Sequence, residues 1–129
     1  MGIVEPEPEV FERFAKSPDD GAPVVMVNLN RYREHSAYPA GSGHSSCSGR
    51  EAYARYGAAV APLIQKHGGR LLYGGSAGVG PILGVDEAWD EVLLVEYPSR
   101  QAFFEMTSSA EYQACVVHRS AGIEDSRVV

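Results

Sequence analysis

Stretches of helical apolar spacing alternate along the chain with short runs rich in β-branched and aromatic residues. Val10, Phe11, Phe14 and Ala15 line one face of a helix predicted over 7–16, with an acidic first turn and a stop at Ser17-Pro18. Val24 to Arg33 (VVMVNLNRYR) reads as a strand. Its two-residue period sends Met26, Asn28, Asn30 and Tyr32 to one side and Val25, Val27, Leu29 and Arg31 to the other. The first of these faces is unusually polar for a buried strand. Glu34 to Gly49 is a predicted loop, nearly devoid of core-forming residues from Ala40 on. Ser48-x-x-Glu51 is a capping box opening a helix in which Ala52, Tyr53, Tyr56, Val60, Leu63, Ile64 and His67 keep helical spacing up to Gly68-Gly69. Pro62 removes one backbone donor inside it, so a kink or interruption is expected near Ala58.

Arg70 to Tyr73 begins a second strand, and Gly74, Gly75, Gly78, Gly80, Pro81 and Gly84 predict a bulged or bent continuation. After a turn at Asp86 to Trp89, Glu91 to Tyr97 (EVLLVEY) reads as a third strand that Pro98-Ser99 stops. Arg100 to Met106 starts a helix, Ser108-x-x-Glu111 supplies a second capping box, and Tyr112, Cys115, Val116 and Arg119 share one face of a longer helix. Ser126 to Val129 is a short last strand. In order this is a helix followed by β-α-β-β-α-β, the ferredoxin-like α+β pattern, and residues 1–129 are read as one domain. That arrangement leaves one sheet face without helices, carrying Val25, Val27 and Leu29. A homodimer is the economical way to cover it.

Composition and charge narrow the chemistry. The 129 residues are 44% hydrophobic and 22% charged, which excludes disordered and collagenous classes. No apolar run approaches a membrane span, and Met1–Val10 carries three glutamates where a leader would carry positive charge, so a cytoplasmic location is expected. The net charge of −6 disfavours nucleic acid as the main partner. The charge is nevertheless blocked: residues 31–70 hold six bases against two acids, and residues 86–96 hold five acids and no base. Such blocks are read as solvated faces, although a basic segment also attracts an acidic ligand. Cys47 and Cys115 form no CxxC, and His35, His44, His67 and His118 are widely separated without metal-ligand spacing, so no metal is expected. His67, at a helix end, is read as a C-terminal cap. Gly74-x-Ser76-x-Gly78 matches the nucleophile-elbow expression, but a Gly- and Pro-containing stretch follows where that motif needs a helix.

The candidate site residues lie around the first strand. Asn28 places a carboxamide mid-strand, which is costly unless paired, either with a neighbouring loop or with a ligand carbonyl or developing enolate. Tyr32, Tyr53 and Tyr56 are read either as an aromatic-lined pocket or as core with hydroxyls at its rim. Arg119 shares an apolar helix face, and its partner is either an acid such as Asp90 or Glu96 or a ligand oxyanion. His118 is read as structural or as a proton carrier.

The words VVMVNLNRYRE at 24–34, SGREAYARYGAAVAPLIQKHGGRLLYGG at 48–75, WDEVLLVEYPSRQAF at 89–103 and SSAEYQACVVHRSAGIEDSRVV at 108–129 resemble the domain-of-unknown-function 1330 family. The resemblance implies a dimeric α+β barrel in which two ferredoxin-like subunits pack sheet against sheet. Asn28, Tyr56, Asp90 and Arg119 fall where such words carry those residue types. The wider superfamily implied includes cofactor-free monooxygenases, lactone isomerases, polyketide cyclases and haem-binding enzymes. The expectation is a homodimer handling a small apolar or aromatic carbonyl compound without metal, flavin or nicotinamide. Asn28 and Arg119 would stabilise an oxyanion, His118 or Tyr56 would move a proton, and Met26, Tyr32, Tyr53 and Trp89 would contact the substrate. The competing class is a non-catalytic ligand-binding or interaction dimer.

Overall fold

Met26, Val60, Tyr97 and Met106 form the centre of the core, where one face of a sheet meets its covering helices. The structure is a computed structural model that describes residues 2–18, 20–78, 83 and 88–129. The elements run α1 (Pro8–Lys16), β1 (Val24–Tyr32), α2 (Gly49–Lys66), β2 (Arg70–Ser76), β3 (Glu91–Tyr97), α3 (Arg100–Ser108), α4 (Ala110–Gly122) and β4 (Ile123–Val128). The strands lie in the order β2-β3-β1-β4, with every neighbouring pair antiparallel. This is the ferredoxin-like arrangement, with α1 added in front of it.

Register divides β1 as its alternation predicts. Val24 and Met26 pair with Tyr97 and Val95 on the helix-covered side, as Asn28 and Asn30 pair with Leu93 and Glu91. Val25, Val27 and Leu29 pair with Glu96, Leu94 and Val92 on the opposite side, where Val25 is exposed. The polar character of the Asn28–Tyr32 face therefore lies under helices. A register shift between Leu71 and Tyr73 puts the bulge of β2 ahead of its glycines. Gly80, Pro81, Gly84 and Asp86, where a bend and a turn are expected, lie outside the described residues.

Three boundaries differ from expectation. Helix α2 continues through Pro62 without interruption, because Ala58 and Pro62 lie on its exposed side and the carbonyl that loses a helical partner faces water. The cap of α4 is Ser109, since Ser108 is still helical in α3. Ser109 Oγ accepts the Tyr112 N–H at 3.1 Å and donates to the Met106 carbonyl at 2.6 Å, so it closes one helix and opens the next. Strand β4 begins at Ile123, three residues ahead of Ser126, because Arg31 on β1 pairs with both Glu124 and Asp125 at 3.1 Å. It closes on Val129, which exchanges two backbone hydrogen bonds with Val27.

Other ends follow the sequence. Ser48 Oγ accepts the Glu51 N–H, and both the backbone N–H and the ring Nδ1 of His67 reach the Leu63 carbonyl. Helix α1 lies on α3, with Phe11 against Phe104 and Phe14 against Phe103 and Phe104. Arg100 holds its end by donating to the carbonyls of Phe14, Ser17 and Pro18. No helix among the described residues is long and apolar enough to cross a membrane.

Candidate functional site

The polar side of β1 gathers a cluster beneath α2 and α4. Asn30 is fully buried, and register places Glu91 of β3 and Ser126 of β4 on either side of it. Its Oδ1 accepts the Ser126 hydroxyl at 2.9 Å, and Ser126 Oγ in turn accepts Arg119 Nη2 at 3.1 Å. Arg119 Nη1 donates to the Val4 carbonyl at 2.9 Å. The Asn30 Nδ2 amide is buried and meets no acceptor of hydrogen-bond geometry among the described residues. A donor left so costs about 1–3 kcal/mol, and such groups mark places where something else completes the bond. Arg33 Nε, at the mouth of the 34–48 loop, is the other buried side-chain donor of this kind among those residues.

Four tyrosines continue the cluster. The Tyr32, Tyr53 and Tyr56 rings follow one another with centroids 5.2 Å apart, and Tyr56 meets Tyr112 edge-on with hydroxyls 3.1 Å apart. The Tyr32 hydroxyl donates a short hydrogen bond to Glu91 Oε1. Burial, then the Glu91 bond, pushes Tyr32 up, while burial and Tyr112 push Tyr56 well above the ordinary tyrosine value. Burial also raises Tyr53, against the pull of Arg119 and of Asn30, whose carboxamide is near enough to act on the hydroxyl without completing a bond from Nδ2. At neutral pH the raised Tyr32, Tyr53 and Tyr56 phenols keep their protons and are hydrogen-bond donors.

The expected partners of Arg119 are engaged elsewhere. Asp90 accepts the Tyr32 N–H at 2.8 Å and Glu96 accepts Arg70 Nε at 3.0 Å. Among the described residues Arg119 forms no ion pair. Asn28 is half-buried, and its Nδ2 donates to the Met26 carbonyl at 3.2 Å and to the Leu93 carbonyl of β3 at 3.5 Å, so its amide is served by the sheet. Met26 lies in the core cluster. Asn30, Glu91 and Ser126 are the additions that sequence reasoning missed. The signal for Asn30 was present, since it sits two residues from Asn28 on the same polar face.

Trp89 and His118 lie apart from this cluster. Trp89 receives the guanidinium groups of Arg31 and Arg127 at 5.7 and 5.3 Å, on the side of the sheet that the helices leave open. His118 faces the 34–48 loop, where its Nδ1 meets the Tyr38 hydroxyl at 2.7 Å and its ring lies 4.6 Å from that of His44. Histidines 74 positions apart thus become neighbours. Ser76 ends an antiparallel strand and its hydroxyl accepts the Gly78 N–H, so it is a turn residue and not a raised nucleophile. Among the described residues no three His, Cys, Asp or Glu side chains gather as a metal-holding group.

The chain is similar to the RPA0582 protein of unknown function from Rhodopseudomonas palustris, with 39% identity over 100% of this chain and 95% of that one, at a TM-score of 0.89. It matches methylated RPA0582 with 40% identity over 99% and 92% of the two chains, also at 0.89. A dimeric protein of unknown function with a ferredoxin-like fold from Bacteroides fragilis NCTC 9343 is 15% identical over 87% and 96% of the chains, with a TM-score of 0.50, and shares the fold. No curated protein matches. The family described as Domain of unknown function (DUF1330) matches residues 43–129, which reach from the 34–48 loop through α2, the hairpin strands and α4 to the end of β4. The chain therefore belongs to the DUF1330 family.

Proposed function

We propose that the chain works as a homodimer that binds a small apolar or aromatic carbonyl compound, with the carbonyl oxygen on Asn30 Nδ2. The buried amide, which stands near the Tyr32 and Tyr53 hydroxyls without completing a hydrogen bond to either, carries the reading. The tyrosine row offers an apolar surface for a ring beside it, and Arg119, free of any carboxylate among the described residues, adds positive charge at the far end. The dimer rests on the apolar sheet face of Val25, Val27, Leu29, Val92 and Leu94.

The chemistry that suits this arrangement is proton transfer next to the carbonyl, as in isomerisation or cyclisation. Glu91 removes the α-proton with one carboxylate oxygen while Tyr32 holds the other, and Asn30 steadies the enolate oxygen until the proton returns at carbon. Deuterium exchange of β-tetralone in heavy water tests both halves. The protein accelerates exchange, and Asn30→Asp and Glu91→Gln each slow it by roughly 10²-fold or more. Shifts of the Asn30 side-chain amide signals on ketone addition, without exchange, leave a binding protein and remove the catalytic half. Neither exchange nor shifts across a panel of aromatic and aliphatic ketones overturns the reading.

A further inference from the structure

The 34–48 loop folds against α2 and α4 through a cationic cluster that the Asn30 site does not use. The hydroxyl of Tyr38 is its hub. It meets His118 Nδ1 at 2.7 Å and accepts Arg55 Nη1 at 3.2 Å. The His44 ring lies 5.0 Å from Tyr38 and 4.6 Å from His118. Arg55 also donates to the carbonyl of Ser45 at 3.0 Å and to its hydroxyl at 3.2 Å. All of its bonds go to neutral oxygens. Among the described residues no carboxylate pairs with Arg55, His44 or His118, although Glu51 stands one helical turn before Arg55.

Beside this cluster the loop forms an open pocket of about 270 Å³ walled by Ser36, Tyr38, Ser42, His44 and Ser46, with Arg55 and His118 behind Tyr38 and outside the wall. Ser36 and Ser42 accept the N–H groups of Cys47 and His44, which leaves both hydroxyl protons to point at a guest. Hydroxyl donors and an Arg55 guanidinium without a carboxylate call for the same complement, a small oxyanion. We propose that this cavity binds a phosphate or carboxylate group and that binding is linked to protonation of His44 and His118. Of the six bases over residues 31–70, Arg55 stands here.

The sign of the linkage follows from the neighbours. Burial, then His44 and Arg55, holds His118 below the ordinary histidine value, while Tyr38 and the more distant Cys47 and Glu51 complete the titratable surroundings. An anion offsets the repulsion from Arg55 and His44, so it raises the pKa of His118 and binds more tightly as pH falls. A rise of about half a unit corresponds to roughly threefold tighter binding to the protonated form.

The test is an imidazole NMR titration from pH 5 to 8 in sodium sulfate, phosphate or acetate, against chloride at equal ionic strength. The expected result is an upward displacement of the His118 midpoint by about half a unit or more, abolished in Arg55→Gln. A response to sulfate and phosphate alone assigns a phosphate-type guest, and a response to acetate alone assigns a carboxylate. His44→Ala, at an exposed loop position, keeps the test valid should Arg55→Gln loosen the loop, and it too loses the response at His118. Identical midpoints in all four salts, or an undiminished response in both variants, overturns the proposal.

Discussion

Gly49 and Gly122 allow the start of α2 and the end of α4 to touch through their backbones. A Cβ on Gly122 would meet the Gly49 carbonyl oxygen and lie 2.9 Å from the Tyr53 nitrogen, and one on Gly49 would press on both backbone polar atoms of Arg33. Those atoms are committed, since Arg33 N–H donates to the Gly122 carbonyl at 2.8 Å and Gly49 N–H to the Arg33 carbonyl at 3.0 Å. Backbone cannot swing aside as a side chain does. Gly122→Ala is expected to cost about 1–3 kcal/mol in urea unfolding. Gly57 supplies the contrast, because a Cβ there meets nothing within 4 Å and the residue lies inside α2. Gly57→Ala is expected to add about 0.5–1 kcal/mol. The reverse order of the two variants would mean that the α2–α4 crossing relaxes freely. Neither glycine's task was legible in the sequence, because the atoms that crowd them come from remote segments. Asn30 differs. Its polarity at a covered strand position was legible, but not that Ser126 takes its oxygen and leaves its amide unserved.

Local signals foretold the elements whose ends are closed by near neighbours. Ser48 caps α2 through Glu51, and His67 closes it on Leu63. At the α3–α4 junction two adjacent serines compete, and spacing to Glu111 favoured Ser108. Ser109 takes the cap because extended backbone there (φ −72°, ψ 151°) lets its Oγ face the Tyr112 N–H, while Ser108 is committed to the last turn of α3. Ser109→Ala is therefore expected to lower the thermal midpoint by the equivalent of about 0.5–2 kcal/mol, and Ser108→Ala to change it by a few tenths at most. Equal losses in the two variants would return the cap to both. The start of β4 was illegible for a different reason. Glu124 and Asp125 are poor strand formers alone, and the arginine that pairs with them lies on β1. The Asp125 carboxyl shows how firmly that corner is tied. Its burial pushes it up, yet the Ile3 N–H, Arg127 and Arg31 outweigh that and hold it below the ordinary aspartate value.

Across the whole molecule the two sheet faces have opposite needs. The helix-covered face takes in polar groups that must be served, whereas the open face presents Val25, Val27 and Leu29 beside Leu94, Val92 and Tyr73. Its border is charged, with Arg70–Glu96 at one end and Arg31 and Arg127 around Asp125 at the other. An apolar centre with a polar rim is the usual anatomy of a protein contact surface. The strand order and this bare face were legible from alternation in β1 and from element order. The meeting of His44 with His118 was not, because it depends on how a Ser- and Gly-rich loop lands on two helices. Light scattering at micromolar concentration is expected to give twice the 13.9 kDa of one chain. Because the open face is apolar at its centre, ~0.5 M salt is expected to leave that mass unchanged, where an interface held by surface ion pairs would weaken. Leu94 lies between Val27 and Tyr73, at the middle of the open face, so Leu94→Glu would put a carboxylate into a contact between two copies made through that face. Dissociation is expected to become at least about 100-fold easier, a change of roughly 2.7 kcal/mol, while the helix-covered core and its circular dichroism stay intact. A wild-type protein that scatters as a monomer, or a Leu94→Glu variant that dimerises as tightly as the wild type, would place the contact elsewhere and leave the open face without its partner.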